Sequence, residues 1–307
     1  MAGPWSAQKE LRGMGMMRLL FKVCPHRLLC MIAIPVSFCY WLASPRQRHA
    51  AKAYLARLDG RRGSWRCFYA FSLTLIEKIE GWAGKCSYDD LVFFDDDLPD
   101  LRGRLQAGKG AMLFVSHQGN AELMRGLATE GKTGLGKQVK ILSFVYFQGT
   151  RQFNEMLRRV NPESMVHLVD AGNITPETIT QVEETVEGGG LVVIAGDRTS
   201  MTHAERSLSI PFLGKVARFP FGAFYLAALV GVPSYSVCFE RVKDFGWKHR
   251  FEMHVWANPM VDTSSRKSRM EGSRRVAGCF VAHLEAECRR HPYQWGNFYD
   301  FWEEGIR

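Results

Sequence analysis

From about residue 110 onward, short apolar runs alternate with amphipathic stretches. The runs AMLFVS (111–116), VKILSF (139–144), VHLVD (166–170), GLVVIA (190–195), SYSVCFE (234–240) and FEMHVWA (251–257) are rich in β-branched and aromatic residues and bounded by turn residues, so they predict strands. Between and after them the pattern predicts helices over 120–129, 151–160, 175–187, 219–230 and about 268–290. The third is punctuated at both ends: Thr175 is placed to cap, Pro176 to open the first turn, Glu177 to face the positive end of the helix dipole, and three glycines to stop it. Strands alternating with helices predict an α/β fold, a mostly parallel central sheet flanked by helices. The last two strands are expected to pair antiparallel through RVKDFGWKH.

The N-terminal part has a different texture. Residues 28–43, LLCMIAIPVSFCYWLA, are uncharged and mostly apolar, with basic residues on both sides. As a helix they would reach ~24 Å, short of the ~30 Å hydrocarbon core, and Pro35 would kink them. This predicts a membrane anchor that dips into one leaflet or spans marginally; a buried core helix and a cleaved signal are the alternatives. Residues 46–86 read as further helices joining this segment to the body. The division expected is therefore 1–86, a basic helical membrane-anchoring region, and 87–307, an α/β domain. Charge sharpens it: residues 1–70 hold twelve Lys and Arg against Glu10 and Asp59, although the whole chain is only +9. A basic end on a near-neutral body points to an anionic membrane surface or an acidic carrier protein. Nucleic acid is not expected, because no aromatic-basic module accompanies the charge. At 46% hydrophobic residues the chain can bury a substantial core, which excludes bulk disorder.

The eight cysteines show no C-x-x-C and no zinc-ligand spacing, so free thiols in a reducing compartment are expected, and no metal. His249 and His254 lie five apart, on opposite faces of a strand, which argues against shared ligation. The acidic stretch SYDDLVFFDDDLPDL lacks the spacing of a calcium loop and reads as solvated.

Candidate chemistry gathers where strands end. His117 follows the 111–116 run, and Glu122 falls in the first turn of the next helix, an H-x4-E pair. A carboxylate there can accept the imidazole Nδ1–H and leave Nε2 free to take a proton. Gly119 permits close backbone approach, and the N–H groups around Gly119 and Asn120 are candidate oxyanion donors for substrate. Asp197 and Arg198, in GDRTS, follow another strand and are candidate substrate-binding residues; Arg198 has the planar fork that suits a phosphate or a carbonyl-bearing donor. The stretch 207–240 reads as an apolar turn, a basic loop with Lys215 and Arg218, and an apolar helix that either lines an acyl channel or is core. There is no G-x-S-x-G, Walker A or G-x-G-x-x-G, so neither a serine-hydrolase elbow nor a nucleotide cofactor has a footing. A base and an oxyanion site suffice for direct acyl transfer.

Taken together, the basic-flanked apolar segment, SHQGNAEL, GDRTS, IPFLG with LAALVGVP, and HPYQWGNFYDFW resemble the lysophospholipid acyltransferase superfamily, and more narrowly its bacterial late lipid A acyltransferase branch. The resemblance covers nearly the whole chain. It implies His117 as base with Glu122 as partner, no cofactor, an acyl donor on acyl carrier protein or CoA, a lipid acceptor, and residence at the cytoplasmic face of the bacterial inner membrane. GDRTS departs from the Asp-Gln typical of lipid A enzymes and the Gly-Thr-Arg of glycerolipid enzymes, which leaves open a lipid A precursor, an amino-acid lipid or a specialised lipid as acceptor. A hydrolase on the same fold and a non-catalytic membrane adaptor are the rival readings.

Overall fold

A computed structural model describes residues 24–82, 85–94, 97–121, 135, 138–145, 166–198 and 207–302. Among the described residues three helices come first: α1 (His26–Ala43), α2 (Pro45–Ala56) and α3 (Trp65–Trp82). They are followed by β1 (Leu91–Phe93), α4 (Leu98–Gln106), β2 (Ala111–Val115), β3 (Ile141–Val145) and β4 (Val166–Asp170). Then come α5 (Pro176–Glu187), β5 (Leu191–Ala195), β6 (Ser207–Phe212), β7 (Lys215–Pro220), α6 (Phe221–Val230), β8 (Ser234–Arg241), β9 (Phe251–Ala257) and α7 (Arg266–Arg290).

Seven strands form one sheet in the order β1-β9-β8-β2-β5-β3-β4, parallel throughout except for the β8–β9 pair. The fold is α/β, as expected, and the antiparallel pair falls where RVKDFGWKH placed it. The central strands are buried on both faces and alternate between two cores. Met112, Phe114, Val192 and Ile194 face a core built with α2, α3, α6 and α7, whereas Leu113, Val115, Val193, Tyr235 and Val237 face a second one under α4. Tyr54, Leu55, Phe68 and Ala70 belong to the first of these, so α2 and α3 share the core of the sheet across the boundary drawn at residue 86. At roughly 1.5–3 kcal/mol for each large apolar side chain enclosed, that shared core ties the N-terminal helices firmly to the body.

Several expectations need amending. The acidic stretch is not simply solvated: it supplies the edge strand β1 and the start of α4. There Asp97 accepts the Ala257 N–H at 2.7 Å and Asp100 accepts from the Tyr235 hydroxyl. The turn and basic loop over 207–220 form a two-stranded hairpin, β6–β7, and the following helix starts two residues later than expected, after Pro220. That helix, α6, is core: Phe224 lies 4.8 Å from the Phe114 ring and 5.5 Å from that of Phe280. The caps of α5 are as read, with the Thr175 hydroxyl accepting from the Thr178 N–H. The helices expected over 120–129 and 151–160 fall almost wholly outside the described residues.

Among the described residues, α1 is the one helix long and apolar enough to cross a membrane, by length and composition. One stripe of it, Leu29, Cys30, Ala33 and Ser37, packs inward. The contacts run antiparallel along α3: His26 meets Glu80, Tyr69 donates to the Cys30 carbonyl, Trp65 donates to Ser37, and Trp41 donates to Ser64 just before α3. The other side presents Leu28, Met31, Ile32, Val36, Phe38, Tyr40 and Leu42, all exposed.

Candidate active site

The site is set by strand register. β2 and β5 are adjacent and parallel, paired from Ala111 opposite Leu191 to Val115 opposite Ala195. They therefore end together, and the residues that follow, Ser116-His117 and Gly196-Asp197, come out side by side. Gly196 N–H donates to the Val115 carbonyl at 2.8 Å and prolongs the ladder by one bond.

His117 and Asp197 are joined twice. The His117 backbone N–H donates to Asp197 Oδ2 at 2.8 Å, and Nδ1 lies 2.8 Å from Oδ1. Trp295 Nε1 donates to Oδ2 at 3.1 Å. Asp197 is 1% exposed. Burial alone would push its carboxyl up. The charge and hydrogen bonds of His117, with help from the Arg198 charge, outweigh this and hold it down at about 2. An ionised carboxylate on Nδ1 fixes the proton on that nitrogen and leaves Nε2 as the acceptor. The imidazole is 39% exposed, so it can meet a substrate. Glu122, expected in this role, lies outside the described residues; the acceptor the structure gives to Nδ1 is Asp197.

The backbone around His117 is locked by the chain's last segment. Gly296 N–H donates to the His117 carbonyl at 2.8 Å, and Gly119 N–H donates to the Gln294 carbonyl at 3.0 Å. Gly119 has φ +69°, and a Cβ there would stand 2.2 Å from the Phe239 carbonyl oxygen, so no other residue fits without displacing β8. The oxyanion expectation finds these donors engaged. The N–H groups of His117, Gln118, Gly119 and Asn120 go to Asp197, the Ser116 hydroxyl, Gln294 and Phe239 respectively. The Asn120 side chain is buried and donates to the Thr74 carbonyl and Glu77, which makes it a brace to α3. Glu77 in turn pairs with buried Arg241 at 2.8 Å, and Arg241 also donates to the Ala70 carbonyl, the Thr74 hydroxyl and the Asp244 carbonyl.

Arg198 is held by the tail: Nη2 donates to the Gly296 carbonyl at 2.8 Å, and the guanidinium lies 5.9 Å from the Tyr299 ring centre. Among the described residues this is its one hydrogen bond, and its planar fork lies at the same sheet edge as His117, where it suits an anion or carbonyl. The sequence reading placed His117, Asp197 and Arg198 correctly at strand ends but missed Trp295, Gln294 and Gly296. Their only signal was a run of aromatic and amide residues after the last helix, with nothing in the pattern to say that it returns to His117.

No protein-family model matches the chain, and no curated protein matches it.

Proposed function

We propose that the protein is a membrane-associated acyltransferase that moves a fatty acyl group from an acyl thioester, on acyl carrier protein or CoA, to a hydroxyl or amine of a lipid acceptor. The observation that carries this reading is a partly exposed imidazole whose Nδ1 is held by a buried, ionised carboxylate. That is the arrangement a general base requires. The acceptor O–H or N–H gives its proton to His117 Nε2 as its lone pair attacks the thioester carbonyl. A tetrahedral oxyanion forms, and its collapse breaks the C–S bond. The departing thiolate takes the proton back from the imidazolium. Atoms and charge balance with no cofactor and no covalent enzyme intermediate. Asp197 orients the ring and stabilises the imidazolium, and Arg198, next to Asp197 in the chain, is the cation assigned to the oxyanion or a donor phosphate.

The outward face of α1 supports the membrane side of the reading. Its opposite face is packed along α3, so α1 cannot be ringed by lipid. It lies along the surface, its exposed apolar side chains in one leaflet, with Arg27 at one end and Arg46, Arg61, Arg62 and Arg66, all exposed, toward the other. The cytoplasmic face of the bacterial inner membrane suits both this geometry and a carrier-protein donor.

The test is thiol release from an acyl-carrier-protein or acyl-CoA thioester in the presence of bacterial inner-membrane lipid extract. Release should need the extract and yield an acylated lipid, and His117→Ala should cut it by roughly 10²–10⁴-fold with an unchanged circular dichroism spectrum. Equal release without acceptor would make the protein a hydrolase, and undiminished transfer by His117→Ala would remove the base from this mechanism.

A further inference from the structure

Away from the sheet edge, three potential ligands from distant parts of the chain meet where α1 joins the body. They are His26, the first residue of α1, Glu80, in the last turn of α3, and His249, in the connection before β9. His26 Nδ1 lies 2.7 Å and His249 Nε2 3.0 Å from the same oxygen, Glu80 Oε2. All three ligand atoms fall within 4.8 Å of one another. We propose that His26, Glu80 and His249 form a zinc site that fastens α1 to the rest of the protein.

The chemistry favours zinc. Two imidazole nitrogens and one carboxylate oxygen make a borderline donor set that zinc accepts, with a fourth position left for water. Ligands ~2.0–2.1 Å from a tetrahedral zinc stand ~3.3 Å apart, so the nitrogens need retreat from Oε2 by only a few tenths of an ångström. Both imidazoles are nearly enclosed, at 11% and 14% exposure, yet open enough for an ion to enter. Glu80 is fully enclosed, and its second oxygen, Oε1, has no hydrogen-bond partner among the described residues. A buried carboxylate oxygen left in that state is costly, and a bound cation would relieve it. Lys85 Nζ stands 3.6 Å from Oε1, at ion-pair range, but its hydrogen bond goes to the Cys24 carbonyl.

A second cluster shows what such a group looks like when the protein supplies the cation itself. Glu240, Glu252 and His291 also converge, but Arg290 Nη2 sits among them, 3.1 Å from Glu240 and 2.8 Å from Glu252. Among the described residues no arginine pairs with Glu80, and its one ammonium partner, Lys85, stands at Oε1 rather than between the two imidazoles. In the sequence His249 has only His254 as a neighbouring histidine, on the opposite face of the expected strand. Its partners stand 169 and 223 residues earlier in the chain, where no spacing rule could find them.

The experiment uses tag-free full-length protein in detergent, stripped with chelator and then given zinc chloride. After gel filtration, one zinc per chain should remain on the wild type. His249→Gln and Glu80→Gln should each retain less than about a tenth of that, and Cys39→Ser, which removes an exposed thiol, should retain all of it. Cobalt in place of zinc should give visible bands without sulfur charge transfer, which reads the site in the wild type even where a variant folds poorly. Wild type that retains no metal, variants that keep the full equivalent, or a thiolate signature in the cobalt spectrum would each overturn the assignment. None of these outcomes depends on acyl transfer.

Discussion

A fully enclosed carboxylate that stays ionised must be held by particular donors, and for Asp197 the described residues supply the His117 backbone, the His117 ring and the Trp295 indole. Replacing it with Asn removes the charge and offers an N–H where Nδ1–H needs an acceptor, which favours the wrong tautomer. Asp197→Asn should therefore lower kcat by roughly 10²–10⁴-fold while KM moves little. Near-normal kcat would show that another group orients His117. The individual residues of this pair were legible, because apolar runs ending in His, and in Gly-Asp-Arg, mark the carboxyl ends of strands. The pairing was not: 80 residues separate them, and which strands are neighbours is decided by the sheet order, not by local pattern.

At the scale of elements, a strand was legible where its residues are buried on both faces, as in β2 and β5, because a short unbroken apolar run can go almost nowhere else. It was lost where the strand is very short or carries proline. β1 has three residues among aspartates, and β6 and β7 contain Pro211 and Pro220. In α1 the composition was legible, but its one-sided packing was not, since the inward stripe of Leu29, Cys30, Ala33 and Ser37 is no more apolar than the outward face. That packing predicts which substitutions matter. Met31 and Val36 are 52% and 58% exposed, so Met31→Glu with Val36→Glu should leave folding intact and reduce partitioning to anionic phospholipid vesicles by at least about tenfold. Unchanged co-sedimentation would show that this face does not meet lipid.

For the whole molecule, two buried groups bound the pH range of stability from opposite sides. Asp197 is lowered from 3.8 to about 2, so its contribution, about 2 kcal/mol, is complete above pH 4 and is lost as pH falls through 2. His291 is raised from 6.5 to about 9: although burial opposes it, Asp244 and Glu252 accept from its two ring nitrogens. Its contribution, about 3 kcal/mol, is complete below pH 6.5 and is lost as pH rises through 9. Urea midpoints should fall between pH 6.5 and 9, and His291→Gln should flatten that limb; a slope unchanged in the variant would assign it elsewhere. The tail that closes over His117 has one more consequence, in the order of events during synthesis. The ribosome delivers α1 some 250 residues before Trp295 and Gly296, roughly 10–50 s at ~5–20 residues per second. The apolar helix can thus reach a bilayer while the imidazole still lacks the indole and glycine that set it in place. On the proposed function, a nascent chain would settle at its surface before it is competent, and catalytic power would arrive last, where the lipid already is.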